Sequence, residues 1–265
     1  MRQTWTYKPK QKETLKLSRS RIELFLECPR CFWLQIRHDL KRPFGPSFLL
    51  NQAVDELFKK EFDIYRQKQE PHPLMKKAKL KAIPFKHEKL TDWQDTFKGI
   101  QYLVEKHNIL IFGGLDDVWI NDAEELMVVD YKSTAKNEAV TELYAEGSYH
   151  DAYRRQIEIY QWLLKKNDFK VSPIAYFVYA NGQKQKPKFN NRLEFAVEVI
   201  AYEGQTEWID GVIDDIKVCL DSDIPSVITK SDNSDQLQCS HCRYVHERLM
   251  LGQTLRKNLN SPNPN

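Results

Sequence analysis

Three residues, Asp116, Asp130 and Lys132, stand where β-strand geometry can bring their side chains onto one face. Residues 109–120 and 126–132 are rich in Val, Ile, Leu and aromatics, and the polar run Asn121 to Glu125 separates them, which predicts a β-hairpin. With the turn centred on Ala123, Ile120 opposes Leu126 and Asp116 opposes Asp130. Directly opposed side chains share a sheet face with Cβ atoms about 4.5–5.5 Å apart, so two carboxylates are forced together. They need compensation, either a proton on one of them or a divalent cation between them. Lys132 lies two residues beyond Asp130 and therefore on the same face. Its opposite number is Gly114, which leaves room for a bulky ligand. The alternation selects Asp116 over Asp117, and a bulge or a different loop length would exchange the two. Such a site suits hydrolysis. Hard oxygen ligands hold Mg²⁺ with several of its waters, and the ion can bridge a phosphodiester and a nucleophilic water. The ammonium can orient or deprotonate that water, or neutralise charge in the transition state. The plainer reading of the same residues is a surface hairpin with an ordinary charge pair.

A second chemistry-bearing set is made of cysteines. Four of the five fall into two C-x-x-C pairs, Cys28-Pro29-Arg30-Cys31 and Cys239-Ser240-His241-Cys242. Each pair suits one half of a tetrahedral thiolate site, and in a reducing compartment this spacing points to metal rather than disulfides. His241 is not needed as a ligand if all four thiolates are present. Cys219 sits among apolar neighbours at helical spacing and reads as a packing residue.

Charge is segregated along the chain. The net charge of +3 conceals 22 Lys and Arg against 12 Asp and Glu in the first 100 residues, and 18 against 25 in the remainder. The basic half suits a polyanionic partner and the acidic half can hold cations. Solvated faces of opposite sign are the alternative. No charged-then-apolar stretch opens the sequence and no apolar run approaches the roughly 20 residues of a membrane span, so a soluble, cytoplasmic protein is expected.

The elements that must position these residues follow from periodicity. Ser20 and Glu23 form a capping box ahead of a short helix running toward Cys28, where Pro29 interrupts the pattern. A longer helix is expected over 49–66, with Leu50, Val54, Leu57, Phe58, Phe62 and Tyr65 on one face and Asp55 at its edge. Residues 67–98, broken by Pro71, Pro73 and Pro84 and loaded with lysines, read as a basic arm or insert. A helix over 150–166 carries Tyr153, Ile157, Tyr160 and Leu164 on one stripe. Strands are expected over 171–180 and 193–201, and the last clear helix over 203–220. This order predicts an α/β or α+β domain with a mixed sheet. Residues 1–16 and 251–265 read as a flexible N-terminal tail and a disordered C-terminal tail, leaving 17–250 as a single domain.

Gly113-Gly114-Leu115-Asp116, Val128-Val129-Asp130-Tyr131-Lys132, and Gln156 with Tyr160 four residues on form an ordered set that resembles the PD-(D/E)XK nuclease superfamily. Within it, the set is most similar to the RecB-type and CRISPR-associated adaptation nuclease branch. Leu17-Ser18-Arg19-Ser20-Arg21 leading to Cys28-Pro29 is similar to that branch's N-terminal segment, so the resemblance spans roughly 17–245. It implies a restriction-endonuclease-like mixed central β-sheet flanked by helices, with the N- and C-terminal segments joined by a four-cysteine metal site. It also implies a metal-dependent DNA nuclease, an exonuclease acting on single-stranded or end-bearing DNA, in repair, recombination or CRISPR-type processing. Asp116 and Asp130 would be metal ligands, the Tyr131 carbonyl a third, and Lys132 the catalytic lysine. Gln156 and Tyr160 would position the substrate strand or the attacking water.

The ion would be Mg²⁺ or Mn²⁺. At Cys28, Cys31, Cys239 and Cys242 the branch carries a [4Fe-4S] cluster in a one-plus-three pattern, whereas this chain shows two-plus-two, so structural Zn²⁺ competes. A helicase or integrase partner belongs to the same expectation. One departure stands out. The family places a metal-binding histidine in the helix before the hairpin, and the matching stretch here, Asn51-Gln52-Ala53-Val54-Asp55, has none. Asp55 is the candidate replacement, and a catalytically decayed nucleic-acid-binding or scaffold subunit is the alternative function.

Overall fold

The turn after Asn121 sets the centre of the fold. Its side-chain Oδ1 accepts hydrogen bonds from the Ala123 and Glu125 amides at 3.0 and 2.9 Å, and Glu124 adopts the left-handed conformation, φ 59°. An Asx-type turn of this kind closes the chain on itself and fixes which residues can pair. The resulting ladder runs from Ile120↔Leu126 to Asp117↔Val129, the register expected from the turn position.

The protein is described here from a computed structural model covering residues 6–43, 45, 48–143, 149–226 and 239–260. In chain order its elements are β1 (Leu15–Ser18), α1 (Arg19–Glu27), α2 (Pro29–His38), α3 (Leu49–Lys68), α4 (Pro73–Lys77), β2 (Ala82–Pro84), α5 (Leu90–Gln94) and β3 (Ile100–Val104). There follow β4 (Ile109–Gly113), β5 (Asp117–Asn121), β6 (Leu126–Thr134), α6 (Tyr149–Lys166), β7 (Ile174–Gly182), β8 (Phe195–Glu203), α7 (Trp208–Asp221) and α8 (Ser240–Asn260). Five strands form a mixed sheet in the order β2-β5-β6-β7-β8, with β6 and β7 parallel and the other pairs antiparallel. A second, three-stranded sheet has the order β1-β4-β3, with β1 and β4 parallel. The chain packs as two compact units. One comprises Met1–Lys12, Arg21–Phe44 and Asp214–Asn265, the other Glu13–Ser20 and Gly45–Ile213.

Several expectations are corrected. The predicted long strand over 109–120 is two strands in different sheets, because the chain crosses between them after Gly113. Helix α1 begins at Arg19, which puts Ser20 inside its first turn, so the Ser20–Glu23 capping box is not the start signal. Pro29 does more than interrupt. It occupies the first turn of α2, where a missing N–H costs nothing, and the Cys28 Sγ caps that helix by accepting from the Cys31 amide. Leu50 and Leu57, expected on the buried stripe of α3, are exposed, while Phe58, Phe62 and Arg66 are buried. Strands β7 and β8 begin two or three residues later than expected, and α7 begins at Trp208. Cys219 is half-buried. Residues 251–260, expected to be tail, continue α8. Tyr7, in the other expected tail, is buried, donating to Asp221 and accepting from Lys217, both at 2.7 Å.

The largest correction concerns residues 67–98. They are not a loose basic arm but an integral part of the second unit. Met75, Ala82, Leu90 and Trp93 are buried, and β2 is the edge strand against β5. The prolines shorten the elements without preventing packing, and the lysines between the buried positions stay in water.

Helix α3 packs on the five-stranded sheet through Phe58, Phe62, Trp119, Met127, Val129 and Tyr131, with the Phe62 and Trp119 rings stacked at 5.4 Å. Burying side chains of this size is worth about 1.5–3 kcal/mol each. Among them lies an ion pair. Asp117 is fully buried and accepts from the Arg66 guanidinium, from its neighbour Val118's amide at 2.8 Å, and from the Tyr131 hydroxyl at 2.8 Å. Arg66 also donates to the Phe85 carbonyl at 2.8 Å. This fixes the side of β5 on which Asp117 lies, and hence the opposite assignment of Asp116. A buried charge stripped of its partner is costly, whereas an apolar pair of similar volume is tolerated. Arg66→Met is therefore expected to lower unfolding stability by about 3–5 kcal/mol, and Arg66→Met with Asp117→Leu to recover most of that loss. Urea denaturation checks this, and equal loss in the single and double variants contradicts it.

Candidate active site

The candidate site lies wholly within the second unit. The ladder between β5 and β6 stops at Asp117↔Val129, and Asp116 sits one residue past its end. Its Oδ2 accepts from the Tyr131 amide at 2.9 Å, and its carboxyl lies within hydrogen-bonding reach of Asp130. Thus the two carboxylates predicted to oppose one another do meet. Unit charges about 5 Å apart repel by about 3 kcal/mol at an effective dielectric near 20, so nearby cations decide whether both can stay ionised.

Two lysines provide that charge. Lys132 pairs with Asp130 Oδ2 and also lies over the Tyr153 ring, 4.7 Å from its centroid. Lys59 Nζ stands 2.9 Å from Asp55 and 3.8 Å from Asp116, bridging α3 to the end of β5. Burial pulls the Lys59 ammonium down, but Asp116 and Asp55 outweigh it and hold its pKa above the ordinary lysine value. Asp55 is raised, first by burial and then by Asp116, against the pull of Lys59. Asp130 is 0% exposed, and burial pushes its carboxyl up to about 7, with Asp116 adding to the rise and Lys132 opposing it.

Helix α6 supplies the opposite wall. Gln156 Nε2 donates to Asp130 Oδ1 at 2.8 Å and lies 3.5 Å from the Tyr160 hydroxyl, the pair standing one helical turn apart. Tyr160 donates to the Gly114 carbonyl at 2.6 Å, and Arg19 hydrogen-bonds the same hydroxyl. Burial raises Tyr160 to about 12, so it stays a donor at neutral pH.

The glycine pair is explained by this contact and not by a ligand. A Cβ on Gly113 would stand 2.6 Å from the Tyr160 ring, and one on Gly114 would stand 3.0 Å from the Asp95 carbonyl oxygen. Gly114 is not paired with Lys132, since the ladder has already ended, so the expectation that Gly114 leaves room for a bulky ligand is corrected. The segment read as a basic arm clamps this crossing. Gln94 Nε2 donates to the Asp116 carbonyl at 2.7 Å, and the Leu115 amide donates to the Trp93 carbonyl at 3.0 Å.

Asp55, Asp116, Asp130, Lys132, Gln156 and Tyr160 are therefore linked, directly or through Lys59, in one network. The Tyr131 amide belongs to it, while the Tyr131 side chain faces the core. Sequence reading missed Lys59, Gln94 and Arg19. Lys59 follows Asp55 at the i,i+4 spacing of helical ion pairs, which is the one signal available for it. Of the aromatic side chains that could stack on a base, Trp33 and Trp119 are buried, Tyr153 is half-buried and Phe48 is exposed. Asp116 and Asp130 offer carboxylate oxygens of the kind a hard divalent cation takes, but among the described residues no third His, Cys, Asp or Glu donor, Asp55 included, gathers with them.

The four cysteines form a separate group in the first unit. The sulfurs of Cys28, Cys31, Cys239 and Cys242 all lie within 4.8 Å of one another, and three of the separations are 3.8, 3.7 and 3.6 Å. Four sulfurs about 2.3 Å from a shared centre define a tetrahedron with edges of about 3.8 Å, so this donor set fits one tetrahedral ion. Arg42 Nη2 lies 3.4 Å from the Cys239 sulfur, and hydrogen bonding from Cys31 lowers the Cys28 thiol to about 4. The same contact raises the Cys31 thiol and burial raises Cys242 to about 11, so without an ion one thiolate, at Cys28, is favoured over four. Among the described residues, no helix is long and apolar enough to cross a membrane.

No curated protein matches the chain. Among solved structures it is similar to the crystal structure of SSO0001, with 14% identity, 78% of each chain covered and a TM-score of 0.41, a likeness too loose to transfer chemistry. A family model gives far more. It covers residues 16–246, a span that contains the Gly113–Asp116 crossing, the Asp130–Lys132 strand, the Gln156–Tyr160 helix and all four clustered cysteines. The chain belongs to the PD-(D/E)XK nuclease superfamily.

Proposed function

We propose that this chain hydrolyses DNA phosphodiester bonds, acting on single-stranded or end-bearing substrate, with Asp116 and Asp130 as metal ligands and Lys132 as the catalytic ammonium. The observation that carries the proposal is the convergence of those three groups, with Gln156 on the free side of Asp130. When bound, Mg²⁺ or Mn²⁺ supplies Lewis acidity to the scissile phosphate and lowers the pKa of a water. The residues do the rest. Asp116 and Asp130 would hold the cation, and Asp55 is joined to Asp116 through Lys59. Lys132, which pairs with Asp130 in this structure, would orient the attacking water or balance the charge that grows on the phosphate. Gln156 and Tyr160 hold the Asp130 carboxylate and the Gly114 carbonyl in fixed positions. The second reading, a binding or scaffold subunit that no longer cuts, is favoured by Lys59 standing between Asp55 and Asp116 in a chain whose α3 lacks the family's histidine.

For the four thiolates we propose a single structural Zn²⁺ in place of an iron–sulfur cluster, on the support of the sulfur separations near 3.7 Å. Its role is to tie Cys28 and Cys31 at the start of α2 to Cys239 and Cys242 at the start of α8. A helicase or integrase partner, and a place in repair or CRISPR-type processing, remain part of the family reading.

Three outcomes are expected. Purified protein with Mg²⁺ or Mn²⁺ degrades labelled single-stranded DNA, and Asp130→Asn and Lys132→Ala each reduce the rate by about 10²-fold or more while remaining folded. Full activity in either variant contradicts the assignment, and tight binding without metal-dependent cleavage by the wild type favours the second reading.

Burial and Asp116 hold the Asp130 carboxyl well above the ordinary carboxylate range, up to about 7, so a cation competes with a proton there. Apparent Mn²⁺ affinity should therefore rise about tenfold per pH unit up to pH 7 and level off above it, as followed by calorimetry. A pH-independent affinity contradicts this.

Elemental analysis should give one zinc per chain and no visible absorbance near ~400 nm, and zinc removal should destabilise the first unit. Iron, sulfide and a brown colour would contradict the single-ion reading.

A further inference from the structure

We propose that the hairpin joining β7 to β8, residues 183–194, is a docking surface for single-stranded nucleic acid that delivers the strand to the Asp130–Lys132 end of β6. This inference rests on the nucleic-acid reading above and deepens it by naming the surface. The hairpin carries four exposed cations, Lys184, Lys186, Lys188 and Arg192, and one acid, Glu194. Glu194 is engaged with Lys186 at 2.9 Å and with Arg192 at 3.2 Å. Among the described residues, Lys184 and Lys188 have no acidic partner. Asn190 and Asn191, both left-handed with φ 49° and 57°, turn the chain back just after Phe189, whose ring is 70% exposed. Together these residues line a groove of about 390 Å³, within the range of sites that take a single small ligand.

Position and anchoring support a role at the site. Strands β6 and β7 run parallel with Lys132 beside Tyr179 and Thr134 beside Asn181. The hairpin leaves β7 at Gly182, three residues beyond Tyr179, or roughly 10 Å along the strand direction. Its base is tied to the segment that follows β6: Asn181 Oδ1 accepts from the Lys136 amide at 2.8 Å, and Gln185 Nε2 donates to the Asn137 carbonyl at 2.9 Å. The Gln183 amide closes the hairpin onto the Glu194 carbonyl at 2.8 Å. The surface is thus held by the segment that continues from the strand carrying Asp130 and Lys132.

The chemistry selects the occupant. Unneutralised cations call for a polyanion, and an uncovered aromatic among them calls for a planar face to stack on, which unpaired bases offer and a duplex conceals. The test measures binding of a fluorescent oligothymidylate to the full chain, with Ca²⁺ replacing Mg²⁺, across a range of salt. Removing two phosphate contacts in Lys184→Gln with Lys188→Gln should lower the slope of log K against log salt by about 1.4. Phe189→Ala should weaken binding roughly tenfold or more without changing that slope. Unchanged thermal unfolding shows that the exposed hairpin substitutions spare the fold. If the wild type binds and both variants match it in affinity and slope, the hairpin assignment is overturned while the nuclease reading stands. If the wild type binds no nucleic acid, both fall. Equal losses on duplex, with Phe189→Ala silent, overturn the single-strand assignment.

Discussion

Two carboxylates held side by side on neighbouring segments are the constraint around which the rest of the second unit is arranged. Their repulsion, about 3 kcal/mol, is a sizeable fraction of a protein's margin of stability if left unanswered. Each nearby element answers it. Lys59 comes from α3, Lys132 from the strand of Asp130 itself, and Gln156 from α6. On the other face of the hairpin, Asp117 is neutralised by Arg66 and accepts a hydrogen bond from the Tyr131 hydroxyl within the core. Adjacent aspartates in the sequence thus have opposite tasks: Asp117 locks the strand to α3, and that lock leaves Asp116 to face Asp130.

The geometry of the Gly113–Asp116 crossing explains why the site requires two sheets. Strand β4 ends where the Tyr160 ring needs space, and β5 starts only after the chain has passed beneath Asp95 and Thr96. The Tyr160 hydroxyl and the Gln94 amide then hold the crossing from opposite sides through carbonyl oxygens. Neither contact touches a carboxylate, yet both determine where Asp116 stands.

What was legible in the sequence was local. The hairpin register could be read because an Asx turn at Asn121 leaves little freedom in pairing, and from the register came the meeting of Asp116 with Asp130. The two C-x-x-C pairs could be read because thiolate spacing is a strong signal at short range. Residues 67–98 could not be, since prolines and lysines imitate a loop whenever the buried positions between them are few. Nor could α8, whose weak amphipathic pattern resembles a tail, or the break at Gly113, which depends on a ring contributed by a helix 47 residues further on. Lys59 was visible only as a helical charge pair, because its reach to Asp116 is a tertiary fact.

Anomalous X-ray diffraction from crystals of the protein soaked in Mn²⁺ tests the central claim most directly. The account predicts a peak within coordination distance of both the Asp116 and Asp130 carboxylates, with the Lys132 ammonium displaced from Asp130. A peak that contacts only one of them, or strong manganese binding elsewhere with this pair left untouched, would contradict it.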